Sequence, residues 1–260
     1  MADPIEENNS SHEDAFSPGK TRETAQRLTR AIEEGHTSIP EEALPLVCKP
    51  NHVESWRVFK IMSEFVEGFD VIRRYRLAAS FFGSARSTLD PSVYQAATDL
   101  AALLAKEGYA VITGGSAGIM QAANRGAYEA GGASVGLNIR LPHPQKENGY
   151  VTEKFEFDHF FVRKVMLTFA SEAYIFFPGG FGTLDEFFEI VTLVQTGKIR
   201  AVPIVMYGSA YWNPLLDFID RILLEKFKTI SPRDRDLLHI VDSPEEALSY
   251  IKENVNTDCV

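Results

Sequence analysis

The sequence predicts an α/β protein, a doubly wound parallel sheet of Rossmann-like type with an N-terminal helical extension. Three observations lead there. From residue 77 onward, short runs rich in Val, Ile and Phe alternate with amphipathic helical patterns, as expected where helical crossovers bury parallel strands on both faces. Glycine-bearing turns follow three of these runs: Gly83-Ser84-Ala85-Arg86, Gly114-Gly115-Ser116-Ala117-Gly118 and Pro178-Gly179-Gly180-Phe181-Gly182-Thr183. At 260 residues with 45% apolar content, the chain can bury one full core plus an appended segment, and two large domains are not expected.

Residues 1–20 are polar and acidic and carry too little apolar surface to offset ordering entropy, which predicts a disordered tail. Ala25, Leu28, Ala31 and Ile32 recur at helical spacing between Thr21 and Gly35, after which Pro40, Pro45 and Pro50 punctuate a loop. A second helical pattern runs from His52 to Tyr75, with Trp56, Phe59, Met62, Phe65, Val66 and Phe69 on an apolar face and Gly68 as a candidate break. Trp56 reads as packing rather than as part of a ligand cage. Residues 21–75 thus form the extension and residues 76–255 the main domain.

Strands are predicted at Leu77–Phe82, Tyr109–Thr113, Ala133–Ile139, Phe155–Phe157, Ala173–Phe177, Ala201–Met206 and His239–Val241. Helices are predicted over Pro91–Lys106, Ile119–Glu129, Phe160–Ala170 and Tyr211–Lys228. The last helix has Ser243 as N-cap, Pro244 at N1 and Glu246 at N3, the pattern of a capping box.

The stretch from Pro178 to Gly197 organises the rest. An apolar strand ends in a glycine cluster that opens into a helix near Thr183, so inward-turned amides and the positive helix end together suit a phosphate. Asp185 and Glu186 fall in the first turn, and Gly197 is placed to end the helix as C′. Leu184, Phe187, Phe188, Val191 and Val194 form one apolar stripe, and Glu186, Ile190 and Leu193 line a second. A helix with two such sides is expected to be buried on both, the second against a subunit or another layer of the chain.

Several classes are excluded by what is missing. The turns carry no GxGxxG after the first strand, no GxxxxGK[ST] and no HExxH. A formal charge of −10 argues against nucleic acid as main partner; of the basic residues, only Arg73, Arg74 and Arg76 cluster, and they read as a helix end. Cys48 and Cys259 alone cannot build a disulfide framework or a cysteine zinc site. The six histidines lack ligand spacing, so no metal or cofactor is expected. With no bilayer-length apolar run and no signal-peptide pattern, the reading is a soluble cytoplasmic protein without membrane contact.

Phosphate-binding amides, a carboxylate and a cation are the set that hydrolysis of an N-glycosidic bond in a nucleoside 5′-monophosphate requires, because its oxocarbenium-like transition state favours nearby negative charge. Glu186 is the candidate carboxylate. The pattern PGGxGTxxE, the Arg163-Lys164 pair after an aromatic run, GGSAGIMQAANRGA and GSAR together resemble the Lonely Guy (LOG) family, often labelled lysine decarboxylase-like, over roughly residues 77–250. The resemblance implies a phosphoribohydrolase that releases base and ribose 5-phosphate, with Arg163 and Glu186 as the catalytic pair. It implies that Gly179, Gly180, Gly182 and Thr183 hold the 5′-phosphate, and that Ser84, Arg86, Gly114, Gly115, Gly118 and Lys164 line the rest of the pocket.

Phe160-Phe161 stands where short plant-type members have Met-His, and GLNIRLPHPQKENGY is similar to longer bacterial-type members. AMP or a broader nucleotide range is therefore expected as substrate beside cytokinin riboside 5′-monophosphates. Related proteins are typically dimers, which implies a homodimer. The alternative is a non-catalytic carrier of a nucleotide or of molybdenum cofactor, since similar folds bind that cofactor through phosphate loops; Glu186, which a pure phosphate binder does not need, favours the enzyme. A third reading makes the acidic tail and the Trp56 helix an interaction arm on an inactive scaffold.

Overall fold

The computed structural model describes residues 55–86, 90–141 and 148–255. The predicted acidic tail, the Thr21–Gly35 helix, the Pro-bordered loop and both cysteines lie outside the described residues. Seven strands form one parallel sheet: β1 Ala78–Phe82, β2 Ala110–Thr113, β3 Ser134–Ile139, β4 Glu153–Phe157, β5 Ala173–Phe176, β6 Ile204–Tyr207 and β7 Leu238–Val241. Their order is β4-β3-β2-β1-β5-β6-β7. The winding therefore reverses between β1 and β5, which pair directly with Phe82 opposite Phe176. In such sheets, ligands lie beyond the carboxyl ends of the strands at this reversal.

Alternation along each strand divides the core into two layers. On one face Phe82, Tyr174 and Phe176 pack with Phe187 and Trp212; the Phe82 and Phe176 rings stack at 4.9 Å, and Phe187 meets Trp212 at 5.1 Å. On the other, Ala79, Phe81, Phe177 and Tyr207 pack with Leu100, Leu104, Ile119 and Ile251. The helices are α1 Ser55–Ile72, α2 Pro91–Lys106, α3 Ile119–Glu129, α4 Phe160–Phe169, α5 Phe181–Gln195, α6 Ser209–Phe218, α7 Pro232–Arg235 and α8 Pro244–Asn254. Helices α2, α3 and α8 cover one face, and α4, α5 and α6 the other.

Local chemistry sets most boundaries. Asp90 caps α2 by accepting from the Ser92 amide at 2.8 Å, with Pro91 at the first helical position. Helix α5 ends as Gly197 predicts: its φ is +66°, its amide donates to Val194 O at 3.0 Å, and the Lys198 amide donates to Leu193 O at 2.8 Å.

Four expectations need correction. Only half of the α8 capping box forms: Ser243 Oγ accepts from the Glu246 amide, but the Glu246 carboxylate accepts from Asp242 N. A complete box instead opens the short α7, between Ser231 and Asp234. The single helix expected over Tyr211–Lys228 is α6 followed by a π-helical segment, Ile219–Lys226. Strand β4 extends back to Glu153, its charged residues suiting a sheet edge that faces water on one side.

The fourth correction concerns Gly68, which sits inside α1 rather than breaking it. A Cβ there would stand 2.7 Å from Met166 Sδ and 3.1 Å from Phe157, so the missing side chain lets α1 lie close against α4 and β4. The face buried by this contact carries Glu64, Val71 and Ile72. Trp56, Phe59, Met62, Val66 and Phe69 remain exposed, and Trp56 rests against Phe59 at 6.3 Å. Among the described residues, no helix is long and apolar enough to cross a membrane.

Candidate active site

The three glycine-bearing turns converge at the carboxyl ends of β1, β2 and β5, and Ser84 ties them together. Its amide donates to Pro178 O at 3.1 Å, and its carbonyl accepts from the Ile119 amide at 3.0 Å. Gly118, the N-cap of α3, has φ +67° and ψ −131°, a conformation that side chains resist. Space forbids one as well, since a Cβ would stand 2.1 Å from Ser84 O.

A buried polar network holds the second turn. Thr113 Oγ1 accepts from the Gly115 amide at 2.9 Å and donates to Asn124 Oδ1 at 2.6 Å. Asn124 Nδ2 donates to Ser134 Oγ at 2.8 Å, and Asn148 Nδ2 donates to Asn124 Oδ1 at 2.9 Å. Asn138 Nδ2 donates to Gly115 O at 3.2 Å, while Asn138 Oδ1 is buried with no partner. Sequence reasoning missed Asn124, Asn138 and Asn148 as supports. For Asn124 a signal existed, an amide on the otherwise Ala-rich inner face of α3, because a buried polar group demands partners.

Helix α5 starts at Phe181, two residues before the Thr183 that the sequence suggests, so Asp185 and Glu186 fall in its second turn rather than its first. Its first helical bonds run from the Thr183 and Leu184 amides to Gly180 O. The amides ahead of them face out of the helix N-terminus. Nothing lies within 4 Å of where a Cβ would stand on Gly180 or Gly182. Packing within the chain therefore does not require glycine there, and the bare backbone leaves room for an anion to approach. Gly179 is different: a Cβ would meet Thr183 Oγ1, whose residue is folded back beneath the loop and buried.

Beside this cradle lies a cavity of about 420 Å³. It is lined by Ser84, Arg86, Gly114, Arg163, Lys164, Gly180, Gly182, Thr183 and Glu186 among the predicted residues. Gly115, Gly118 and Gly179 are not part of that lining; Gly179 instead lines a neighbouring hollow with Ser84, Arg86 and Gly180. Met120, Phe160, Leu167 and Asp185 also line it, and the sequence reading had not placed the first three in the pocket. A hollow of about 550 Å³ near Arg76 and Tyr109 lies at the opposite, amino ends of the strands.

Glu186 is the electrostatic centre. It is 7% exposed, and its Oε2 has no hydrogen-bond partner. Burial pushes its carboxyl up to about 7; Lys164 and Arg163 pull the other way, while Glu189 and Asp185 add to the rise. Burial likewise draws the Arg163 guanidinium below its ordinary range, opposed by Glu186. Arg163 Nε is buried without a partner, and the guanidinium rests 5.3 Å over the Phe160 ring. The two groups thus retain unused hydrogen-bonding capacity at the cavity.

Lys164 is more committed. Its Nζ pairs with Asp185 Oδ2 at 2.7 Å and Glu189 Oε2 at 3.0 Å. Burial disfavours its charge, but those carboxylates and Glu186 outweigh it and raise the ammonium above its ordinary range. Lys164 therefore reaches the cavity already neutralised by two acids, whereas Arg163 does not. Arg86 is exposed at the rim, its amide held by Ser84 Oγ at 3.1 Å. Among the described residues, no three His, Cys, Asp or Glu side chains are grouped so as to hold a metal ion. His239 stacks on Tyr250 at 3.7 Å, and His159 pairs with Glu64.

Both stripes of α5 are largely covered. Glu186 and Ile190 of the second are buried and Leu193 is half-buried; Phe187 and Val194 of the first are buried, but Phe188 of the first is 41% exposed and Phe181, ahead of it, 94%.

The chain is similar to known proteins over this same region. A family model described as "Possible lysine decarboxylase" matches residues 120–251. A cytokinin riboside 5′-monophosphate phosphoribohydrolase of Arabidopsis thaliana is 31% identical over 184 residues, covering 69% of this chain and 83% of the relative. One of Rhodococcoides fascians is 27% identical over 164 residues, covering 61% and 80%. Among solved structures, the molybdenum cofactor carrier protein of Chlamydomonas reinhardtii superposes with a TM-score of 0.52 at 20% identity, covering 68% of this chain and 97% of that one. The last likeness concerns the fold. Family model, relatives and loop chemistry agree, and the chain belongs to the LOG family, the one labelled lysine decarboxylase-like.

Proposed function

We propose that this chain hydrolyses the N-glycosidic bond of nucleoside 5′-monophosphates, AMP and cytokinin riboside 5′-monophosphates among them, giving free base and ribose 5-phosphate. The observation that carries this reading is the position of Glu186. A buried carboxylate, with one oxygen unpartnered, sits one turn inside the helix whose N-terminal amides form the anion cradle. A 5′-phosphate held on those amides brings its ribose toward that carboxylate, where negative charge stabilises an oxocarbenium-like sugar. Arg163, half-buried and in no salt bridge among the described residues, supplies the cation that orients the sugar-phosphate. The names of the relatives support the reaction class.

A carrier of nucleotide or molybdenum cofactor would use the same cradle, but a buried carboxylate beside a bound anion would weaken its hold. The test is to incubate the pure protein with AMP and then with the other monophosphates and cytokinin ribotides, measuring free base and ribose 5-phosphate. Equimolar release is expected. Tight binding without release would sink the hydrolase and leave the carrier.

The homodimer is part of the same proposal. Phe181, Leu184 and Phe188 line a hollow of about 730 Å³ beside the mouth of the site, together with Lys164 and Glu189. Exposed rings on this scale ordinarily mark an interface, and a second copy covering them completes the burial of Phe188, the ring of the first stripe that the chain itself leaves open. Sedimentation at micromolar concentration is expected to give a dimer that Phe188→Glu converts to a monomer. A monomeric wild type would remove the second copy from the reading.

A further inference from the structure

We propose that α1 is a clamp on the helix that carries Arg163, and that Glu64 is a positioning residue for that guanidinium. The kinetic part of this inference rests on the hydrolase reading; the structural part does not.

Helix α4 starts at Phe160 with His159 as N-cap, and that residue makes no side-chain cap of its own. In a capping box, a carboxylate at N3 reaches back to the N-cap amide, but N3 here is Val162. Glu64 of α1 takes that role from 95 residues away, its Oε2 accepting from the His159 amide at 3.2 Å and its Oε1 meeting His159 Nδ1 at 2.9 Å. Glu64 is 8% exposed. Both carboxylate oxygens are therefore engaged at the positive end of α4, where a buried negative charge is most favourable.

The contact has a second prong. Lys60, one turn earlier on α1, pairs with Asp158 at 2.5 Å, and Asp158 also takes Arg140 at 2.5 Å. Two residues spaced i, i+4 on α1 thus hold two consecutive residues at the β4–α4 junction. Further along, Gly68 allows the close approach to Met166, and Phe69 meets the Phe169 ring at 6.3 Å. The clamp spans α4 from its first turn to its last.

Arg163 is sensitive to this arrangement because it lies in the turn that Glu64 caps. Its amide donates to His159 O at 3.2 Å. Its Nε has no partner, so the guanidinium is located by the helix and the Phe160 ring rather than by hydrogen bonds of its own. A shift of the first turn of α4 therefore passes directly to the guanidinium. Lys164, tied to Asp185 and Glu189 on α5, is buffered against the same shift.

The test compares full-length wild type, Glu64→Ala and Glu64→Gln by steady-state kinetics with AMP, and by amide hydrogen exchange over residues 158–164. Glu64→Ala is expected to lower kcat by roughly tenfold to a hundredfold, the size of effect that small misplacement of a reacting group produces. KM is expected to stay within about threefold because the α5 amides still hold the phosphate. Exchange in the first turn of α4 is expected to quicken. Glu64→Gln keeps an oxygen for the His159 amide and is expected to recover most of both losses. Full kcat in Glu64→Ala below its unfolding temperature overturns the proposal. If wild type releases no base, the hydrolase reading fails and the exchange arm decides alone: unchanged exchange over residues 158–164 in Glu64→Ala overturns the clamp.

Discussion

Glu186→Gln is expected to lower kcat for base release by about 10³-fold, within the range that a positioned carboxylate contributes to such reactions. Glutamine keeps the size and one carbonyl oxygen but cannot carry the charge that an oxocarbenium-like sugar needs. The pH profile of wild type provides an independent check. With the carboxyl pushed up to about 7 by burial, the ionised fraction rises through neutrality, so kcat/KM for AMP is expected to climb between pH 6 and pH 8, taken as about one unit on each side of that value. A profile that falls across the same window would make Glu186 the proton donor instead.

The same residue links function to stability, with a definite sign. The ordinary carboxyl value of 4.5 rises to about 7 on folding. Between those two values the folded state holds a proton that the unfolded state has lost, so stability falls as pH rises through the window and levels off above it. The full difference is on the order of 3 kcal/mol. Glu186→Gln escapes this penalty. It is expected to melt at a higher temperature than wild type at pH 8 and at a similar one at pH 4.5, as scanning calorimetry would show. A variant that is both less active and no more stable at pH 8 would place the group outside the buried setting described for it.

Gly118→Ala is expected to cost roughly 2–6 kcal/mol, from backbone strain at a conformation nearly reserved for glycine together with overpacking. The methyl would press on Ser84 O from 2.1 Å, where main chain rather than a flexible side chain must give way. The unfolding midpoint should drop by on the order of 10 °C for a chain of this size. Gly180→Ala is the control. Its φ of −99° suits any residue, and nothing lies within 4 Å of the added methyl, so stability should stay near wild type while phosphate binding falls as the methyl enters the cradle. Equal melting of the two variants would mean that Gly118 is not the constraint described.

Much of this was legible in the sequence because it is local chemistry. Apolar strands alternate with helices, and Gly197 ends its helix where short-range rules put it. The cradle could be read because it depends on glycines next to an apolar strand and a helix start. What could not be read depends on contacts between distant residues. Gly68 looks like a break until α4 is placed against it. Glu64 looks like one more surface acid until the β4–α4 junction arrives beside it. Glu246 reached Asp242 rather than Ser243, a choice among neighbouring amides that the motif alone does not make. Strand β4 was undercounted because its Glu and Lys residues obscure the alternation that an edge strand tolerates. The exposure of Phe188 shows the same limit from the other side, since periodicity reveals that a face is apolar but not what covers it.

The double use of the Ser84 main chain, with its amide on one loop and its carbonyl on another, makes the three turns a single mechanical body. No one of them can swing open without pulling the other two. The amides that would meet a phosphate are thus oriented when the protein folds, and the loss of loop entropy falls in folding rather than in binding. A nucleotide would enter a socket that is already set.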